Sequence, residues 1–114
     1  MKGLTPRRGE VWVVNFNPGR GSEQRSIRPA VIIQNDTGNI YAATTIVAAI
    51  TSTIKEFPVT VVLSPGEGGL KQRSMVNLAQ LLTIDKGRLQ KRLGQLSDAV
   101  MEQVHEAVRV SLDV

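Results

Sequence analysis

Apolar residues in this chain fall first into short runs with β character and only later into a helical repeat. The segment "EVWVVNF" (10–16) is rich in valine and aromatics, the composition of a strand buried on both faces at its start. A second strand is expected over "PAVIIQND" (29–36), where Pro29 can sit first because a strand's opening residue can forgo its N–H. "NDTGN" (35–39) has turn composition, with Gly38 or Asn39 able to take positive φ. "ATTIVAAITS" (43–52) is β-branched and then apolar throughout, as a central strand is. "FPVTVVL" (57–63) sets Val59, Val61 and Leu63 on one side. "SPGEGG" (64–69) breaks the chain, and "SMVNLAQLLTI" (74–84) resumes extended structure.

The period then changes. Leu96, Val100, Val104, Ala107, Val108 and Leu112 recur at helical spacing. Ser97 is placed to cap that helix, with Asp98 and Glu102 near its positive end. Residues 86–92 read as a short helical turn before it. Five strands, irregular loops and one terminal helix make a mainly β, α+β protein. Its expected form is a small, strongly bent antiparallel sheet or barrel with the helix over an open end.

The chain has 114 residues, which fits a single domain over 1–114. It contains no cysteine, so disulfides, thiolate metal sites and a cysteine nucleophile are all excluded. No apolar run approaches the roughly 18–20 residues of a membrane span, and the first ten residues lack the apolar core of a signal peptide. A soluble cytoplasmic protein is the expectation. The net charge of +4 points weakly to an anionic partner, and its distribution says more. Residues 1–28 carry Lys2, Arg7, Arg8, Arg20, Arg25 and Arg28 against Glu10 and Glu23. From Ser97 on the balance reverses, with Asp98, Glu102, Glu106 and Asp113 against Arg109. A basic front suits a polyanion, although a solvated basic surface has the same composition.

The stretch "GRGSEQRSIRP" (19–29) concentrates that charge between two strands and is too long for a plain turn. It offers Arg20, Arg25 and Arg28 as phosphate donors, Ser22 and Gln24 for sugar or base edges, and Glu23 as its one carboxylate. Pro29 biases Arg28 toward extended backbone at a strand entrance, which fixes its guanidinium better than those of Arg20 and Arg25. Thr51, ending the "IVAAIT" strand, can place a hydroxyl near the same sheet edge. Arg28 could equally pin the loop through Glu23 or Asp36, and threonine is an ordinary strand residue. His105 is the only histidine and falls on the polar side of the terminal helix, so no triad or histidine pair can be built. No motif has metal-ligand spacing, and no metal or cofactor is expected. RNA cleavage without a metal needs only an aligned 2′-hydroxyl, stabilised phosphorane oxygens and proton movement, and an arginine beside a hydroxyl can supply the charge stabilisation.

The segment "RRGEVWVVNFNPGRGSEQRSIRPAVIIQND", then "IVAAIT" and "LTIDKGRLQKRLGQLSDAVMEQVHEAV", resembles the MazF/PemK toxins of type II toxin–antitoxin systems. The likeness runs from about Arg8 to Leu112 and is nearer the chromosomal MazF branch than the plasmid toxins. It implies an SH3-like β-barrel of the CcdB/MazF type acting as a homodimer. It also implies a metal-independent, sequence-specific endoribonuclease that cuts single-stranded RNA, leaving a 2′,3′-cyclic phosphate and a 5′-hydroxyl. A cognate antitoxin with an acidic, flexible C-terminal segment would occupy the RNA groove. By position, Arg28 matches the family's catalytic arginine and Thr51 its catalytic threonine. Ser22, Glu23 and Gln24 match the substrate loop, with Glu23 a candidate for proton transfer, and Gln80 matches a glutamine beside the site.

This sequence departs from the family pattern at Arg25 and Ser26 after "SEQ", and at Ala79 and Leu82 around Gln80. Those positions bear on the cleavage sequence, which the chain does not disclose. Two other readings use the same fold: a gyrase-poison-like protein acting by protein binding, and an RNA binder that does not cut. Arg28, Thr51 and the "SEQ" loop distinguish the nuclease from the first of these.

Overall fold

The computed structural model describes residues 5–16 and 26–114. Six antiparallel strands run β1 Glu10–Asn15, β2 Ile27–Ile32, β3 Thr44–Thr51, β4 Thr60–Leu63, β5 Ser74–Asp85 and β6 Leu89–Gln95. Helix α1 spans Asp36–Tyr41 and α2 spans Asp98–Leu112. The strands form one sheet in the order β4-β5-β3-β2-β1-β6. β4 and β6 are its edges and are not paired with one another, so the barrel is an open, bent sheet rather than a hydrogen-bonded ring. Strong bending is built into β5. Ile50 pairs with Val76 and Ala48 with Leu81, so residues 77–80 bulge out opposite Ala49 alone.

Period-two alternation feeds an apolar layer on each face. Val11, Val31, Ala48, Ile50 and Val76 join one layer, closed by Val104 and Ala107 of α2. Trp12, Val14, Ala30, Ile32 and Val47 join the other, with Ile84 and Leu89 from the two ends of the β5–β6 connection. Val104 is fully buried, and that side chain alone favours helix docking by about 1.5–3 kcal/mol. Ser97 caps α2 as expected, its hydroxyl accepting the Val100 N–H at 3.3 Å. Among the described residues no helix is long and apolar enough to cross a membrane.

Four expectations need correction. β2 opens at Ile27, so Pro29 is its third residue and not its first, and the strand ends at Ile32 instead of running on to Asp36. Residues 86–92 do not make a helical turn throughout: a 3₁₀ turn covers Lys86–Arg88, and the chain then enters β6. Leu96 is buried but precedes the α2 cap, so it is not part of the helix. The "NDTGN" turn is the start of helix α1, and neither Gly38 nor Asn39 has positive φ. The Asn35 side chain accepts the Gly38 N–H at 2.7 Å, a local N-cap that turns the segment into helix. Asn39 is fully buried beneath it. It donates to the Gln34 carbonyl (2.9 Å) and accepts from Gln34 Nε2 (3.1 Å) and Thr45 Oγ1 (2.7 Å), so its amide is satisfied.

Asp36 ties α1 to the N-terminal segment, accepting the Arg8 N–H at 2.7 Å and Asn39 Nδ2 at 3.2 Å. The Arg8 N–H is the main reason its carboxyl is held below the ordinary value of 3.8; desolvation opposes it, and the Asn39 hydrogen bond and the charges of Arg7 and Arg8 add to the lowering. A lowered folded-state pKa contributes stability that is present above 3.8 and lost as pH falls through the lower folded value. Asp36→Asn is therefore expected to lower the thermal midpoint near neutrality, where the contribution is present, and to converge on wild type at the acid end, which flattens the acid limb in that window. Identical limbs would remove Asp36 from the acid transition.

A 3₁₀ turn at Glu67–Gly69, following β4, runs against β6 and β1. Gly68 and Gly69 take positive φ (62° and 79°). A Cβ on Gly69 would lie 2.1 Å from the Leu93 carbonyl oxygen. The Glu67 carboxylate also accepts the backbone N–H of Ser97, joining this turn to the start of α2. β6 is further fixed by Glu10, whose carboxylate is bonded by Arg92 Nε (2.8 Å), Trp12 Nε1 and the Arg7 N–H (both 2.9 Å).

Candidate RNA-cleavage site

The β2–β3 ladder pairs Ile32 with Val47, Val31 with Ala48 and Ala30 with Ala49, and goes no further. The next residue on β2 is Pro29, which has no N–H to extend a ladder. Beyond it the two strands form separate walls of an open cleft of about 600 Å³. Ile27, Arg28 and Pro29 line one wall and Ile50, Thr51 and Ser52 the other, while Leu70, Lys71, Gln72 and Ser74 close the far side. Continued by two steps, the register would set Arg28 opposite Thr51. Alternation gives Arg28 the parity of Ala30 and Ile32, and Thr51 that of Ala49 and Val47, so both project from one face. The two residues that the sequence singled out from segments far apart therefore share one cleft.

The backbone of each is fixed by its strand. Arg28 lies in β2 opposite Val14 of β1, exposed at the strand's open end. Of the two carboxylates that could have pinned it, Asp36 is engaged by Arg8 and Asn39 on α1. Thr51 is half-buried, paired with Met75, and its hydroxyl oxygen accepts the Thr53 N–H at 3.1 Å. With a lone pair engaged by that N–H, the hydroxyl proton is free to donate into the cleft.

Other sequence candidates fall elsewhere. Arg20, Ser22, Glu23, Gln24 and Arg25 lie outside the described residues. Gln80 is exposed on the β5 bulge and is not part of the cleft wall. His105 is exposed on α2, beside Arg8, Asp98, Met101 and Glu102 in a separate depression. Among the described residues no three His, Cys, Asp or Glu side chains cluster as metal ligands. The sequence reading missed residues 70–73. Their signal was present in "LKQRS", three polar residues between two that become buried, but it lies next to a glycine-rich break and was passed over.

An open bent sheet thus places an arginine and a threonine hydroxyl in one cleft at a strand fork. Residues 7–112 match the family described as PemK-like, MazF-like toxin of type II toxin–antitoxin system, and the chain belongs to that family. It is 46% identical over 108 residues to an endoribonuclease MazF of Staphylococcus saprophyticus, covering 93% of this chain and 90% of that one. Among solved structures, a mycobacterial endoribonuclease in complex with its cognate antitoxin is 26% identical, with a TM-score of 0.80 over 96% of both chains. A MazE–MazF structure from Deinococcus radiodurans shares the fold at a TM-score of 0.80 and 23% identity, over 97% of this chain and 98% of that one.

Proposed function

We propose that this chain is the toxin of a type II toxin–antitoxin pair, a metal-independent endoribonuclease that cuts single-stranded RNA at a short sequence. The observation that carries this reading is the meeting of Arg28 and Thr51 across one cleft. The substrate's 2′-oxygen attacks its own phosphorus, forming the P–O2′ bond while the P–O5′ bond breaks. The proton lost from the 2′-hydroxyl and the proton gained by the 5′-oxygen balance, leaving a 2′,3′-cyclic phosphate and a 5′-hydroxyl. Arg28 supplies a permanently charged, forked donor to the non-bridging oxygens, which gather charge in the transition state. With a solution pKa above about 12 it serves as stabiliser and candidate acid, not as base. Thr51 donates a further hydrogen bond to the same phosphoryl group. Glu23 is the carboxylate proposed for proton transfer, and Ser22, Gln24, Arg20, Arg25 and Gln80 are proposed to hold the strand.

The cleft suits a regulatory partner of opposite charge. Among the described residues it is lined by Arg28 and Lys71 and by no acid, so an antitoxin's acidic C-terminal segment is a fitting competitor for RNA. A homodimer remains the family expectation for the toxin. Purified protein is expected to cleave single-stranded RNA in EDTA, giving fragments whose 5′ ends accept phosphate from polynucleotide kinase without prior phosphatase treatment. Sequencing those ends gives the cleavage sequence. Intact RNA across varied sequences, with a parallel DNA-supercoiling assay positive, would transfer the protein to the gyrase-poison class.

A further inference from the structure

Resting on the nuclease reading above, the cleft has a third wall that the arginine–threonine chemistry does not use. It is the segment Leu70–Ser74, and it is braced at both ends. Leu70 is buried, donates its N–H to the Glu67 carbonyl (3.1 Å) and accepts the Gly66 N–H (2.7 Å). Ser74 is buried and donates its hydroxyl to the Gln72 carbonyl at 2.9 Å. Between these anchors Lys71, Gln72 and Arg73 are exposed. Arg73 turns toward Glu56, with 3.7 Å between the charged groups, and does not line the cleft. Lys71 and Gln72 do line it, and Lys71 forms no ion pair among the described residues.

From this arrangement we infer that Leu70–Ser74 is the subsite for a nucleotide flanking the scissile bond. Lys71 takes the neighbouring phosphate, and the Gln72 amide faces the sugar or base. An ammonium on a four-carbon stem is a point-charge phosphate partner whose position is set by its backbone. Here the backbone is fixed within a few residues of the core. The segment positions the strand so that the phosphate between Arg28 and Thr51 is the one that reacts; it takes no part in bond making.

The test measures binding of a mixed-sequence 2′-O-methyl RNA 12-mer, which cannot be cleaved, to wild type, Lys71→Gln, Lys71→Arg and Lys91→Gln across a salt series. Lys91 is exposed on β6, outside the cleft, and controls for loss of one charge anywhere. Loss of one phosphate contact predicts that the slope of log affinity against log salt falls by about 0.7 in Lys71→Gln. Affinity at low salt is expected to drop several-fold, Lys71→Arg to recover most of it, and Lys91→Gln to keep the wild-type slope. With cleavable RNA, kcat/KM of Lys71→Gln should fall by the same factor as affinity. A wild-type slope in Lys71→Gln, or equal losses in Lys71→Gln and Lys91→Gln, overturns the subsite. Because binding is read on an uncleavable strand, failure to cut RNA would count against the nuclease reading and leave this result standing.

Discussion

Arg28→Ala is expected to lower the single-turnover rate of RNA cleavage by about a thousandfold and to leave the folded protein almost unchanged. The size follows from what is removed. A single preorganised donor to a developing oxyanion is worth about 10²–10³ in rate, and an arginine on a transferring phosphoryl group about 10³–10⁵. The small structural effect follows from placement. Arg28 is exposed where the β2–β3 ladder has already ended, so no β2–β3 ladder bond and neither apolar layer depends on its side chain. Arg28→Lys separates charge from shape, because lysine keeps the charge and loses the fork; an intermediate loss of about tenfold to a hundredfold is expected. Rates are to be compared at saturating enzyme, with thermal melting as the check on folding. Wild-type cleavage by Arg28→Ala would remove the arginine from the chemistry altogether.

Gly69→Ala is expected to destabilise the fold by more than about 4 kcal/mol. Two costs combine at this position. The backbone sits at φ 79°, where a side chain costs roughly 1–2 kcal/mol. The added carbon would also lie 2.1 Å from the Leu93 carbonyl oxygen and 2.8 Å from its carbon. Both are backbone atoms of β6, so no rotamer change relieves the overlap, and the 3₁₀ turn must leave the strand. Leu70 and Leu96, both buried, would then lose their cover. A total above about 4 kcal/mol consumes much of the 5–15 kcal/mol typical of a domain. Gly66→Ala is the matched control, since its φ is 97° but nothing lies within 4 Å of the new carbon. It should cost about 1 kcal/mol in urea unfolding. Equal midpoints for the two variants would show that the turn and β6 can separate freely.

The parts of this fold that were legible in the sequence share one property, apolar residues that become buried. β1 and β3 are β-branched runs of that kind, while β5 and the stripe of α2 were legible from buried apolar residues, Met75, Val76 and Leu78 in the one and Val104 and Ala107 in the other. β6 was not legible because "LQKRLGQ" is an edge strand with most of its residues exposed, and an edge needs no alternating apolar face. Helix α1 was read as a turn because its six residues carry a glycine and an asparagine. The signal that decides otherwise is the Asn35 cap combined with burial of Asn39, and only tertiary packing supplies the second part. At the site, Arg28 and Thr51 were readable as types of residue, but their meeting depends on strand register. Lys71 and Gln72 are polar residues between two buried ones, a local pattern that marks an exposed connection but not that its path runs along the cleft.

The fork between β2 and β3 has a mechanical consequence. Its vertex is the pair Ala30 and Ala49, and Arg28 and Thr51 each sit two residues out along an arm. At about 3.3 Å per residue each arm is about 7 Å long. A change of about 10° in the angle between the arms therefore shifts a tip by about 1 Å, and a misplacement of that size can cost about a hundredfold in rate. Ala30 is fully buried in the apolar layer of Trp12, Val14 and Ile32. The gape of the fork, and with it the spacing between guanidinium and hydroxyl, is thus set by side-chain volume inside the protein, at positions that never meet RNA.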